Sequence, residues 1–284
     1  MAIDYRKALA LDIPEAEQTY TARDTMLYAL GLGFGGNPMD ETELHYVYEK
    51  ELRVFPTMPV AQAFTSLRDI DIGIDYTRLV HGEQSLSVHA ELPVAGTIVG
   101  KTRITEIVDR GQGKGALVYL ERRITEKQKG TLLATAHMSA FCRADGGFGG
   151  PVTEAPAPHK LPDRVPDLLY PVKTLPQQAL IYRLSGDVNP LHADPKIAKS
   201  AGFDRPILHG LATYGIVARA LVAGLLGNDG SRLLEFGGRF SAPVFPGETI
   251  NVELWMEGGS ASARASSVER NIVVFNSGYA RMRA

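Results

Sequence analysis

Cysteine is nearly absent from this chain of 284 residues, and the single one, Cys142, excludes an internal disulfide and any metal site that needs several cysteines. The chain has no run of about 18 apolar residues, so we expect no membrane span. The formal net charge is only −2, which argues against a general nucleic-acid binder. The segment from Met1 to Leu11 carries charges and lacks the apolar core of a signal peptide. We therefore expect a cytoplasmic protein.

The composition is that of a soluble globular protein, with 44% hydrophobic and 22% charged residues. Glycine and proline concentrate between residues 146 and 176, beginning with the run Gly146–Gly150. Such a segment is a poor candidate for a helix or a central strand. We therefore predict an N-terminal repeat (1–145), a connection (146–176) and a C-terminal repeat (177–284).

Each half shows a turn-rich segment, then an apolar helix, then strands. The second half contains a nearly wholly apolar stretch, 211–226, which predicts a buried helix. The first half has a shorter helix candidate, from Val60 to Leu67. Strands are predicted near 97–108, 115–126, 131–143, 233–241, 249–256, 261–269 and 271–282. Helices and strands that do not alternate favour the α+β class, with an antiparallel sheet wrapped around buried helices.

The segment Ser185–His192 is the strongest candidate for chemistry. It places the Asp187 carboxylate and the His192 imidazole five residues apart, across an Asn-Pro turn. A bend there can bring both groups to one side, where they could hold a water molecule for general acid–base catalysis. The alternative is that Asp187 is a turn residue and His192 a surface histidine.

A second element, His209-Gly210, opens the long apolar helix. A glycine at a helix N-terminus lets a substrate approach the backbone, and the free N–H groups there favour a developing oxyanion. Simple packing of the helix entry is the alternative. Asp194-Pro195 is instead explained by structure, as the N-cap and first residue of a short helix that ends near Gly202.

The two halves look like weak copies of each other. Sliding the chain by 152 residues superimposes Asn37-Pro38 on the Asn-Pro pair of the motif. The same shift places Gly35 at Asp187 and Asp40 at His192. If the halves are duplicates, only the second one keeps the acid/base pair.

Other site types have less support. Asp187, His192 and His209 could bind a metal, but no HExxH-type helical spacing is present. The G-x-G-x-x-G pattern at 31–36 is followed by an Asn-Pro pair, which works against the helix that a dinucleotide site requires. Cys142 has no obvious partner for covalent catalysis. We predict no metal site.

Several segments carry a resemblance to the MaoC-like, R-specific 2-enoyl-CoA hydratases (hydratase 2), in the two-repeat form of peroxisomal multifunctional enzymes and bacterial relatives. In the second half they are Tyr182–His192, Arg205–Gly210 and Arg239–Gly247. In the first half they are Leu27–Gly31, His81–Gln84 and Gly146–Gly150. The resemblance spans nearly the whole chain.

This resemblance implies a double hot-dog fold with one degenerate and one catalytic half. It implies syn addition of water to a trans-2-enoyl-CoA, giving the (3R)-3-hydroxyacyl-CoA, with no cofactor besides the coenzyme A of the substrate. By this likeness Asp187 and His192 hold the water, one removing its proton while the other protonates the α-carbon. Asn189 would order the loop, and the Gly210 N–H would stabilise the enolate-like thioester oxygen. The substrate and coenzyme A path would be lined by His81, Gly82, Arg110 and Phe240.

The family likeness also suggests a homodimer. Two further functions stay open at this point. One is a dehydratase that runs the same chemistry in reverse on acyl-carrier-protein thioesters. The other is an acyl-CoA-binding protein with the fold but without turnover.

Overall fold

One antiparallel sheet of ten strands dominates the computed structural model, which describes residues 3–151 and 154–283. The strands are β1 (Ala16–Tyr20), β2 (Leu79–Val88), β3 (Gly96–Asp109), β4 (Ala116–Glu126), β5 (Leu132–Cys142), β6 (Leu168–Lys173), β7 (Leu233–Phe240), β8 (Thr249–Glu257), β9 (Ser260–Ser267) and β10 (Ile272–Met282). Their order across the sheet is β1-β3-β4-β5-β2-β7-β10-β9-β8-β6. The first five and the last five strands therefore follow the same order outward from the β2–β7 pair, as expected of a duplicated unit.

The helices are α1 (Tyr5–Leu9), α2 (Ala22–Gly31), α3 (Glu41–Val47), α4 (Gln178–Tyr182), α5 (Pro195–Ser200) and α6 (Gly210–Leu226). Helix α6 confirms the long helix predicted from the sequence. It packs against strands β6, β7 and β8, and most of its residues are fully buried. It ends at Gly227, which adopts the left-handed conformation (φ 60°) that glycine accepts without strain.

The predicted strands all form, but the sequence missed β1, β2 and β6. Strand β6 lies inside the glycine- and proline-rich segment that was predicted to be a connection only. It pairs with β8 alone, at one edge of the sheet. An edge strand tolerates Pro171 because one side of its backbone needs no hydrogen bonds from the sheet. The proposed limits of the three segments stay a prediction.

The helix predicted from Val60 to Leu67 is wrong. A short 3₁₀ turn, Met58–Ala61, stands at its start. The first-half sheet is covered instead by an extended segment in which Ile70, Ile72 and Ile74 pack into a second hydrophobic cluster. Sheet and helix thus give the α+β class, but with one long buried helix instead of one in each half.

Hydrogen bonds to distant side chains explain why this helix does not form. In a helix, the carbonyls of Pro59 and Val60 would accept from the N–H groups of residues 63 and 64. Here the Arg122 guanidinium donates to both carbonyls, at 3.0 and 2.8 Å. The Ala63 N–H donates to the side chain of Gln18 at 2.7 Å. Side chains from strands β1 and β4 therefore replace the bonds that would have continued the helix.

Within the part of the chain that the structure describes, no helix is long and apolar enough to cross a membrane.

Candidate active site

The loop between α4 and α5 is ordered by two side chains that accept hydrogen bonds from the backbone just ahead of them. The Asp187 carboxylate accepts from the Asn189 N–H at 3.1 Å. The Asn189 side chain accepts from the Leu191 N–H, also at 3.1 Å. Gly186, directly before, has φ 128°, a conformation that favours glycine. Turn chemistry therefore fixes the loop, and Asn189 is one of its two ordering residues.

The side chain of His192 points into the protein. It is only 8% exposed, so the surface-histidine interpretation is wrong. Its Nδ1 lies 2.9 Å from the carbonyl oxygen of Ile207. A carbonyl only accepts, so Nδ1 carries the hydrogen and the Nε2 lone pair stays free. Burial lowers the pKa of His192, so the imidazole is neutral at neutral pH.

His209 contacts both Asp187 and His192 and directly precedes Gly210. It is 1% exposed and caps helix α6, directly before Gly210. Its Nε2 donates to the Asp187 carbonyl oxygen at 3.1 Å, and its ring stacks on His192 with centroids 3.7 Å apart. Burial, reinforced by the neighbouring His192, lowers the pKa of His209 to about 4. The sequence analysis placed His209 at the start of the helix and gave its imidazole only a possible role as a metal ligand, because its contact with the catalytic loop depends on tertiary packing.

The structure brings Asp187, His192 and His209 together. A carboxylate oxygen and one nitrogen from each ring lie within 4.8 Å of one another. A metal bound to a histidine lies in the plane of the ring, about 2.0–2.1 Å from nitrogen. The two rings are stacked, and their planes are inclined by only 29°. No point therefore lies in both planes at a bonding distance from a nitrogen of each ring. The arrangement suits a water molecule better than a metal ion.

Gly210 and Phe240 lie against each other beside this cluster. The Gly210 N–H belongs to the first turn of α6, so it has no acceptor within the helix. Ring carbons of Phe240 lie 3.6 Å from where a Gly210 side chain would begin. Phe240 also meets the His81 ring edge-on, with centroids 4.9 Å apart. His81 is thereby placed next to the cluster.

Gly82 follows His81 at an irregularity in the pairing of β2 with β5. A Cβ on Gly82 would lie 2.8 Å from the Ser139 hydroxyl oxygen, so the strand needs glycine here for packing. His81 Nε2 contacts the Glu83 carbonyl oxygen at 3.0 Å, across the irregularity. Packing of the strand is thus a sufficient reason for a glycine at position 82.

Arg110 is not brought to this cluster. Its guanidinium lies over the Phe141 ring, 5.5 Å from the centroid. Phe141 pairs with Val80, and neighbouring residues of a strand point to opposite faces of the sheet. Arg110 therefore lies on the other face from His81. A sequence pattern without the strand register could not assign that face.

The three histidines around the site predict an acid-sensitive fold. Burial lowers the pKa of His81 and His209 to about 4, and also lowers that of His192. The unfolded chain titrates near about 6.5, so below that pH it binds more protons than the folded protein. The free energy of unfolding should fall by up to about 1.4 kcal/mol per pH unit for each such histidine. Urea denaturation between about pH 7 and 5 measures this slope.

The variant His209→Gln tests the prediction, and His89→Gln is its control. The first removes a buried histidine and should reduce the slope, whereas the second changes an exposed one and should leave it unaltered. An unfolding free energy that does not change with pH across this window would contradict the neutral, buried state of these rings.

Two family models together match most of the chain. The model of the MFE-2 hydratase 2 N-terminal domain matches residues 18–144. The model of the MaoC like domain matches residues 158–276.

Similar proteins cover nearly the whole chain. Enoyl-CoA hydratase ChsH3 of Mycobacterium tuberculosis is 40% identical, covering 98% of this chain and 98% of that protein. The 3-hydroxyacyl-thioester dehydratase Y of the same organism is 42% identical, covering 90% of this chain and 88% of that protein. The crystal structure of a MaoC-like dehydratase from Phytophthora capsici superposes with a TM-score of 0.87 at 35% identity, over 98% of both chains. The ten-stranded sheet around α6 is accordingly the double hot-dog fold expected from the sequence.

Proposed function

The chain belongs to the MaoC-like family, in its two-repeat hydratase 2 form, and on that premise we propose that it catalyses the (R)-specific hydration of a trans-2-enoyl-CoA to the (3R)-3-hydroxyacyl-CoA. The observation that carries the proposal is the pairing of Asp187 with a buried, neutral His192 beside the N-terminus of α6. These groups supply what water addition needs: a site for the water, a proton acceptor and donors for the thioester oxygen.

Asp187 and His192 hold the water. Because His192 Nδ1 is occupied by the Ile207 carbonyl, Nε2 is the atom that accepts a water proton. The water oxygen bonds to the β-carbon while one proton passes to the pair. The pair then returns one proton to the α-carbon, so the site regains its starting charge. Both new bonds form on the face of the substrate that meets Asp187 and His192, which makes the addition syn.

Gly210 stabilises the charge that develops on the thioester oxygen. When the β-carbon is attacked, electrons move toward this oxygen and give an enolate-like state. The free N–H of Gly210 and the positive end of the α6 dipole favour that negative charge. Phe240 and His81 close this side of the site and limit its access to water.

His209 acts as a positioning residue. It donates to the backbone of Asp187, stacks on His192 and directly precedes Gly210. One side chain therefore sets the spacing of all three groups.

The proposal requires no metal and no cofactor other than the coenzyme A of the substrate. We leave Arg110 without a role in the reaction, because it lies on the other face of the sheet. The homodimer and the cytoplasmic location expected from the sequence stay predictions.

The direct test is hydration of trans-2-enoyl-CoA substrates of several chain lengths. We expect the ultraviolet absorbance of the enoyl thioester to disappear and the product to be the (3R) isomer by chiral chromatography. Binding without loss of that absorbance would instead support a non-catalytic acyl-CoA-binding protein. Formation of the (3S) isomer would contradict the assignment to hydratase 2.

A second candidate is a 3-hydroxyacyl-thioester dehydratase, the activity named for one of the relatives. The same residues would run the reaction in reverse. Comparing kcat/KM for coenzyme A and acyl-carrier-protein thioesters in both directions separates the two functions, and we expect coenzyme A hydration to be faster.

A further inference from the structure

One arginine contacts the turn that stands where the first half was expected to have a helix. Arg122, on strand β4, donates from Nη2 to the carbonyl oxygens of Pro59 and Val60, at 3.0 and 2.8 Å. Its guanidinium carbon also lies 5.9 Å from the centroid of the Phe64 ring, within the range of a cation–π contact. The side chain of Arg122 therefore contacts the segment 59–64 near both of its ends.

The charge of Arg122 has no counter-ion. Its Nε is enclosed and has no hydrogen-bond partner within the part of the chain that the structure describes, and no carboxylate of that part pairs with the guanidinium. Burial lowers the pKa of Arg122 to about 10, so the group is still charged at neutral pH. An enclosed charge without a counter-ion costs free energy that an apolar side chain would not. The two bonds to the turn offset part of this cost.

The turn does not hold its own conformation. Its 3₁₀ part, Met58–Ala61, is a single turn, which is too short to be stable by itself. Ala63 follows with φ 46°, in the left-handed region that alanine disfavours. The Ala63 N–H donates to the Gln18 side chain at 2.7 Å. Bonds from Gln18 and Arg122, both outside the segment, therefore keep it in place.

The same turn packs against the backbone of the catalytic loop. The Ala61 carbonyl oxygen lies 3.3 Å from the point where a side chain on Gly186 would begin, and a ring carbon of Phe64 lies 3.9 Å from that point. Gly186, with φ 128°, directly precedes Asp187. Because the contact is this close, a shift of the turn would move the backbone that carries Asp187.

We propose that Arg122 is a positioning residue for the catalytic loop: by holding the turn in the first half, it sets the place of Asp187 in the second. The inference rests on the proposed function and gives the half without the acid/base pair a part in it. Asp187 shares the proton of the water, and a misplacement of about 1 Å costs about 10²-fold in rate. Arg122 acts on the chemical step, so its loss should change kcat and leave KM nearly unaltered.

The test replaces Arg122 by methionine, which keeps an unbranched side chain and removes the guanidinium. We expect kcat for trans-2-decenoyl-CoA to fall by about 10²-fold, with little change in KM. Hydrogen exchange followed by mass spectrometry should be faster in the segment 183–191 than in the wild-type protein, and unchanged in α6. Arg123→Met, the same change at the exposed next residue of the strand, is the matched control and should keep the wild-type kcat.

A double variant separates positioning from a general effect on the structure. If Arg122 acts through Asp187, adding Arg122→Met to Asp187→Asn should cost little further activity. Losses that multiply would mean that Arg122 does not act through Asp187 and would overturn the inference. Wild-type kcat in Arg122→Met, or unchanged exchange in the segment 183–191, would overturn it as well.

Two further arms keep the inference distinct from folding and from the proposed function. If Arg122→Met does not fold by circular dichroism, Arg122→Lys gives the same comparison, because an ammonium group keeps the charge without the planar geometry of the guanidinium. We then expect a smaller loss of kcat, again with little change in KM. Failure of the wild-type protein to hydrate any substrate would reject the proposed function itself, whereas the exchange comparison would still show whether Arg122 orders the loop.

Discussion

Replacing Asp187 by asparagine should lower kcat by about 10³-fold and leave the fold intact. Asparagine has the same shape, and its carbonyl oxygen can still accept from the Asn189 N–H, so the loop keeps its conformation. What disappears is the carboxylate that holds the water and shares its proton, a contribution of about 10²–10⁴ in rate for general acid–base catalysis. The rate of loss of enoyl absorbance gives kcat, and circular dichroism checks the fold.

The same chemical change at Asp194 provides the control. Asp194 lies two residues beyond His192 and caps α5 by accepting from the Lys196 N–H at 2.8 Å. Asparagine is an equally good N-cap, so Asp194→Asn should keep near-normal kcat. Near-normal hydration by Asp187→Asn would show that the carboxylate is not part of the reaction.

The second half of the fold could be predicted closely because its signals are local. The stretch 211–226 is apolar on nearly every face and therefore predicts a buried helix, which α6 confirms. Asp194 and Pro195 predicted the start of α5 by capping chemistry alone, and the Asp194 side chain does accept from the first turn.

The first half was harder to predict because distant residues decide it. The sequence around Val60 is compatible with a helix, but Arg122 and Gln18, each more than 40 residues away, take its backbone groups. Single-sequence patterns contain no information about such contacts.

The candidate site shows the same division between features set by the local sequence and features set by distant contacts. Asp187 and His192 could be proposed from their spacing, because turn chemistry fixes the loop that carries them. The orientation of the His192 ring, set by the Ile207 carbonyl, could not. The stacking of His209 on His192 and the side of the sheet that carries Arg110 depend on strand register and tertiary packing.

Replacing His192 by glutamine should lower kcat by about 10²–10⁴-fold. The glutamine amide can still donate to the Ile207 carbonyl, but it has no basic lone pair for the water proton. In the wild-type protein, protonation of His192 Nε2 removes the lone pair that accepts the water proton. The value of kcat/KM should therefore fall as the pH is lowered. Since burial lowers the pKa of His192, this fall should lie below about pH 6.5. The pH profile of the residual activity of His192→Gln should lack it.

The double variant, Asp187→Asn with His192→Gln, tests whether the two side chains form one unit. Residues that act on the same proton are not additive, so the double variant should be little slower than the slower single one. His137→Gln changes an exposed histidine and should keep the wild-type rate and pH profile. Fully multiplicative losses would mean that Asp187 and His192 act in separate steps, and a water held jointly by the two would then be wrong.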